Sequence, residues 1–113
     1  MDISTFKAYK VIRLDSGNYG ICEMLISNNH LFVNDRGFRV AKRVFVTDIV
    51  DKTGKHVADS GYSYWADYNK PKDKKFFYRV NEYTDDNTGH GIYFLKTKRE
   101  VRKYLNEKRG YFT

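Results

Sequence analysis

The stretch FRVAKRVFVTDIV, residues 38–50, limits what this chain can fold into more than any other. β-Branched and aromatic residues fill it, and these suit a pleated, half-buried surface. At a period of two, Val40, Val44 and Val46 share a face with Lys42, and Ala41, Phe45 and Ile49 share the other with Arg43. Basic residues thus sit inside both alternation patterns, and a strand needs partners from elsewhere in the chain.

Several segments qualify. FKAYKVIRL (6–14) alternates, with Phe6, Ala8 and Lys10 on one side and Lys7, Tyr9 and Val11 on the other. DSGN (15–18) is turn chemistry, and YGICEMLIS (19–27) reads as the returning strand of a hairpin. Residues 28–37 read as a loop carrying an apolar plug, Leu31-Phe32-Val33. DKTGK (51–55) closes the central strand with a turn, and residues 56–75 begin as a short strand and become an exposed loop. FFYRVNEY (76–83) is strand-like, 84–91 is a loop, and IYFL (92–95) is a short buried strand.

Only the C-terminal segment has helical spacing. Thr97 stands three residues before Glu100, the spacing of a capping box. Val101, Tyr104 and Leu105 then form a core-facing stripe, and Gly110 is the stop. The expected architecture is α+β: a mainly antiparallel sheet of about five strands with one C-terminal helix packed on it, in a single domain spanning 1–113.

Charge sets the functional expectation. The formal net charge is +7, and unpaired charges are too costly to bury, so the excess lies on the surface and favours anionic partners. Two groups stand out. Arg36, Arg39, Lys42 and Arg43 bracket the start of the central strand. Guanidinium forks suit phosphate, and Phe38 beside them offers stacking; a charged edge that resists aggregation has the same composition. Lys98, Arg99, Arg102 and Lys103 lie on the helix. Like charges four apart repel, and two of these cations sit in the first turn, where the helix dipole opposes them. A bound polyanion offsets that cost, although a solvated basic face has the same sequence. KPKDKK (70–75) reads as a solvated loop tip.

The remaining residue types point to little chemistry. His30, His56 and His90 are scattered without metal-ligand spacing, so no metal or cofactor is expected. Cys22, in a strand, reads as a buried thiol, and a lone cysteine suits a reducing compartment. Asp85 and Asp86 adjoin, a pairing that can hold a cation or do acid–base work but more commonly is only solvated. No P-loop, GxGxxG or GxSxG motif is present. The N-terminus lacks an apolar signal region, and no apolar run approaches the roughly 20 residues that span a bilayer, so the expectation is cytoplasmic without membrane contact.

Two resemblances add to this. The order of a lysine-bearing opening strand, then GFRVAKRVFVTDIVDKTGKHV, FFYRVNEY and GIYFLKTKREVRKYL resembles an uncharacterised domain of phages and large DNA viruses that is often fused to pentapeptide repeats. Its closing motif reads Gly-Ile-His-Phe-Phe, then an alanine and a tyrosine. Gly91, Ile92, Phe94 and Tyr104 match it, Tyr93 replaces the histidine, Leu95 replaces the second phenylalanine, and Thr88 stands where a cysteine usually precedes the motif. Residues 39–46 and Asp48-Ile49 resemble its central strand and Gly54 its turn. The resemblance implies a viral or mobile-element origin. Locally, GHGIYF (89–94) looks like the Gly-Lys-Gly-Ile-Tyr-Phe strand of poly-ADP-ribosyltransferases, with Tyr93 at the nicotinamide-stacking tyrosine, though no His-Gly-Thr-like strand precedes it.

The resulting expectation is a non-enzymatic viral or mobile-element accessory protein. It inhibits a host defence factor through a basic face that meets an acidic groove of a nucleic-acid-handling protein, or nucleic acid itself. One alternative is a sponge for a small signalling nucleotide, with Arg39, Arg43 and His90 on phosphate and tyrosines on the base. The other is a degenerate NAD-binding relative of the transferases. Tyr78, His90 and Tyr93 are the candidates to stack on a ligand or line its pocket, and a homo-oligomer is compatible with all three.

Overall fold

The computed structural model describes residues 4–64 and 75–107. Strand β1 (Thr5–Arg13) and strand β2 (Tyr19–Ser27) form the expected hairpin, paired without interruption from Thr5↔Ser27 to Arg13↔Tyr19. Strands β3 (Leu31–Val33) and β4 (Arg39–Ala41) form a small second hairpin. The longer β5 (Arg43–Val50) pairs with β2. Then come β6 (Ser60–Tyr64), β7 (Lys75–Arg79), β8 (Tyr83–Asp85) and helix α1 (Lys98–Glu107).

The main sheet is antiparallel, ordered β7-β6-β1-β2-β5-β8, so it has six strands where about five were expected, and β3–β4 form a separate two-stranded sheet. Its two end strands are consecutive in the chain and touch each other, and the Thr84 hydroxyl donates to the Phe77 carbonyl at 2.8 Å. The sheet therefore curls almost into a barrel. Its interior holds Ala8, Ile12, Met24, Ile26, Val44 and Val46, each no more than 2% exposed. Helix α1 lies against β1 and buries Val101.

Three departures from simple alternation shape this core. The run 38–50 is not one strand. At Lys42 the backbone leaves both ladders: its N–H donates to the His30 carbonyl at 2.7 Å and its carbonyl accepts from Asp86 N–H at 2.8 Å. Neighbouring Val40 and Ala41 are both fully buried as a result. Further on, the register slips, with Glu23 opposite Asp48 but Met24 opposite Val46. Thr47 is the extra residue of a bulge, which flips the alternation and brings Ile49 into the same core as Val46 rather than to the opposite face. Segment 76–83 likewise breaks into β7 and β8. Asn81 there takes φ 67°, and residues 81 and 82 bond the Val46 backbone.

The plug at 31–33 is strand β3 rather than part of a loop, and β8 extends into the expected loop 84–91. Residues 92–95 do not form a regular strand but make two isolated reciprocal pairings. Ile92 exchanges backbone bonds with Ala41 at 2.8 and 3.1 Å, and Leu95 exchanges them with Tyr9 at 2.8 Å each. This closing segment thereby ties β4 to the free edge of β1. Residues 65–74, including most of KPKDKK, and Gly110 lie outside the described residues.

Gly91 makes the closure sterically feasible. It has φ +87°, and a β-carbon there would sit 2.1 Å from Val40 Cγ2. Gly91→Ala is expected to combine left-handed strain with overpacking and lower stability by roughly 2–5 kcal/mol, measurable by urea denaturation.

His56 fastens the segment after β5. Its Nδ1 meets Asp48 Oδ1 at 2.7 Å and its Nε2 meets Asp59 Oδ1 at 3.1 Å. The hydrogen bond to Asp48 raises the imidazole above its ordinary value of 6.5, with both carboxylates adding attraction against some desolvation. The stabilisation is therefore fully present below that ordinary value and is lost as pH rises through the raised one. His56→Ala is expected to lower the melting temperature clearly at about pH 5.5 and little at about pH 8.5.

Candidate functional site

The tip of the β3–β4 hairpin is built around one buried side chain, Asn34, which is 7% exposed. Its backbone N–H donates to the Phe38 carbonyl at 2.9 Å and its carbonyl accepts from Gly37 N–H at 3.0 Å, with Gly37 at φ +83°. The side-chain oxygen accepts from the N–H groups of Arg36 and Phe38, both at 3.0 Å. The side-chain nitrogen donates to the His90 carbonyl at 3.0 Å and the Tyr93 hydroxyl at 2.9 Å. All four hydrogen-bonding positions of the amide are thus used, and the hairpin is locked to the closing segment.

This scaffold holds an aromatic residue out in solvent. Phe38 is 56% exposed, meets the Tyr93 ring edge-on at 5.7 Å, and is flanked in sequence by exposed Arg36 and Arg39. The loop beneath is held by Asp86, whose Oδ1 accepts from Thr88 N–H and hydroxyl at 2.8 and 2.7 Å and whose Oδ2 accepts from Gly91 N–H at 2.9 Å. His90 is half-buried, with Nδ1 3.3 Å from Asp35 Oδ1.

The other sequence-predicted residues are dispersed. Arg43 is turned to its own strand neighbours: Nε lies 3.0 Å from Asp85 Oδ1, and its guanidinium sits 4.0 Å over the Tyr83 ring. Lys42 is exposed, with its ammonium 5.9 Å over Phe32. Asp85 serves Arg43 while Asp86 serves the loop backbone, so the two adjacent acids do separate work. Tyr78 is 0% exposed inside the curled sheet, hydrogen-bonded by the Ser63 hydroxyl at 3.3 Å, and no surface ligand can stack on it.

The helix cations belong to another place. Thr97 Oγ1 accepts from Glu100 N–H at 3.1 Å, completing one half of the expected box; the Glu100 carboxylate accepts from Lys96 N–H at 3.4 Å, one residue before the cap. Lys98, Arg99, Arg102 and Lys103 are all exposed. Lys98 and Arg102 border a groove of about 510 Å³ between α1, the outer face of β1–β2 and the 51–54 turn. None of Arg39, Arg43 and His90, the phosphate ligands expected for a nucleotide sponge, lines it.

Sequence reasoning passed over Asn34, whose only signal was its place in an Asn-Asp-Arg-Gly turn, and Lys10. Lys10 shares the inward face with Ala8 and Ile12 and stands opposite Cys22. Its ammonium donates to the Tyr93 carbonyl at 3.1 Å. Burial pulls it down to about 8, against a small opposing effect of Cys22, while burial pushes the Cys22 thiol far above its usual range. Among the described residues, no cluster of His, Cys, Asp and Glu is arranged to hold a metal ion; Asp48 and Asp59 sit on opposite nitrogens of His56 and do not converge. No described helix is long and apolar enough to cross a membrane.

Comparison with protein-family models, curated proteins and solved structures finds no match for this chain.

A lysine lowered from 10.5 to about 8 carries a folding penalty of roughly 3 kcal/mol, at about 1.4 kcal/mol per pH unit. The hydrogen bond to the Tyr93 carbonyl, about 1.5–3 kcal/mol for a charged donor, offsets part of it. The penalty is complete below about 8 and is relieved as pH rises through that value towards 10.5. Lys10→Met, which keeps the stem volume, is expected to raise the melting temperature at about pH 7 and to lose most of that advantage by about pH 10, as read by thermal unfolding.

Proposed function

We propose that this chain is a non-enzymatic accessory protein of a phage or other mobile element that occupies a host defence factor. The origin rests on the resemblance of its central and closing motifs to the viral domain. The binding mode rests on one observation: a largely exposed phenylalanine, close in the chain to exposed Arg36 and Arg39, on a turn whose central amide is fully bonded. A large ring fixed in water before any partner arrives loses little freedom on binding. Guanidinium groups, such as those of these two neighbours in the chain, pair with phosphates or carboxylates. The target is an acidic groove of a nucleic-acid-handling protein, or single-stranded nucleic acid, where stacking and backbone neutralisation work together.

Sequestration of a small signalling nucleotide is the second reading, supported by the groove beside α1 rather than by the residues first expected to hold phosphate. The NAD-binding reading needs a nicotinamide on Tyr93, whose ring already meets Phe38 and whose hydroxyl is held by Asn34.

Anisotropy titration of a labelled single-stranded oligonucleotide, across rising salt, separates the two targets. Direct binding is expected to weaken steeply with salt, and Phe38→Ala to cost about 10-fold or more. With no binding even at low salt, the partner is a protein, and affinity capture from nuclease-treated host lysate then compares wild type with a Phe38→Ala/Arg39→Glu variant. Equal capture by both, or an oligonucleotide affinity that Phe38→Ala leaves unchanged, would sink the proposal.

A further inference from the structure

The groove beside α1 has a mixed chemistry. Its floor is apolar, formed by Ile21 and Val50 from the strands and Val101 and Leu105 from the helix. Tyr9 and Tyr19 stand on it, the first nearly buried and the second 43% exposed. Lys98 and Arg102, one helical turn apart, border it on one side, and Lys52 borders it from the 51–54 turn. Two acids also line it, but they differ in state. Asp51 has one oxygen, Oδ1, taken by its own turn, accepting from the N–H groups of Thr53 and Lys55 at 2.8 and 3.1 Å. Glu23 is half-buried, and among the described residues its carboxylate meets no donor.

We propose that this groove binds a nucleoside monophosphate whose base carries an exocyclic amine. The volume of about 510 Å³ lies in the range of small-ligand pockets. A planar base suits tyrosine faces over an aliphatic floor. The phosphate suits Lys98 and Arg102, whose mutual repulsion it offsets along with the unfavourable place of Lys98 in the first helical turn. Glu23 is the half-buried carboxylate of the groove, and an amine on the base gives it a donor. A ligand that is only an anion would leave this carboxylate buried against it, and a ligand that is only a cation would face three basic side chains. A base with an amine and a phosphate satisfies both ends. The inference rests on the second reading above, nucleotide binding in this groove, and the site is separate from the hairpin tip and independent of the reading given to the tip.

The test is a titration of the full chain with AMP, GMP, CMP and UMP, followed by amide chemical shifts in ¹H–¹⁵N NMR at low salt. Shifts are expected at Tyr9, Ile21, Glu23 and Val101, with UMP, which lacks the amine, binding most weakly. Arg102→Gln and Tyr19→Ala are each expected to weaken binding about 10-fold, the scale of one charge-assisted hydrogen bond or one stacking contact. Glu23→Gln is expected to erase the preference over UMP, and Phe38→Ala to change nothing. Melting curves confirm that each variant is folded before it is titrated. No shift with any of the four at millimolar concentration overturns the proposal. So do shifts confined to the hairpin tip, or binding that Arg102→Gln leaves intact; the hairpin-tip proposal can survive each of these results.

Discussion

The fold depends on a strip of backbone with four reciprocal hydrogen bonds. Ile92 with Ala41, and Leu95 with Tyr9, join two parts of the chain that no continuous ladder connects. Much of the site follows from that join. It places Tyr93 where its hydroxyl meets Asn34 and its carbonyl meets Lys10. It also delivers residue 96 to the outer side of β1, so that α1 starts there and its apolar stripe has a surface to cover. Without Gly91, whose backbone approaches Val40 more closely than any β-carbon would allow, the strip could not lie flat.

Local signals in the sequence were readable where local physics decides. The β1–β2 hairpin followed from alternation on either side of a Gly-containing turn, and the start of α1 from Thr97 and Glu100. Tertiary bonding decided the rest. Nothing within 38–50 announces that Lys42 will give its N–H to His30 and its carbonyl to Asp86, or that Thr47 will bulge. Alternation alone therefore put Ile49 on the wrong face. The number of strands in the main sheet was missed for the same reason: 76–83 reads as one strand until residues 81 and 82 are seen to turn aside and bond Val46. Leu31–Val33 likewise reads as a plug until its partner Arg39–Ala41 is known.

The candidate site was legible in residue type rather than in arrangement. The cations expected to act together are divided between the hairpin tip and the border of the α1 groove, and Arg43 is largely occupied by Asp85 and Tyr83. Tyr78 carried the aromatic signature of a ligand platform, but its parity along β7 turns it inward with Phe76. Asn34 carried almost no signal because an asparagine in a turn is ordinary. Its importance lies in the His90 carbonyl and Tyr93 hydroxyl, more than fifty residues away.

The same long-range join has a kinetic consequence. Hairpin β1–β2 closes a loop of only a few residues, whereas Lys10 meets Tyr93 across a separation of 83 positions. Closing large loops is slow because their entropy is lost before any contact compensates. During synthesis, the edge of β1 at Tyr9 emerges long before Leu95 exists to cover it. For that interval the nascent chain presents an open strand bearing a lysine on its inward face. That charge discourages the strand from pairing with a neighbouring chain until its own partner arrives.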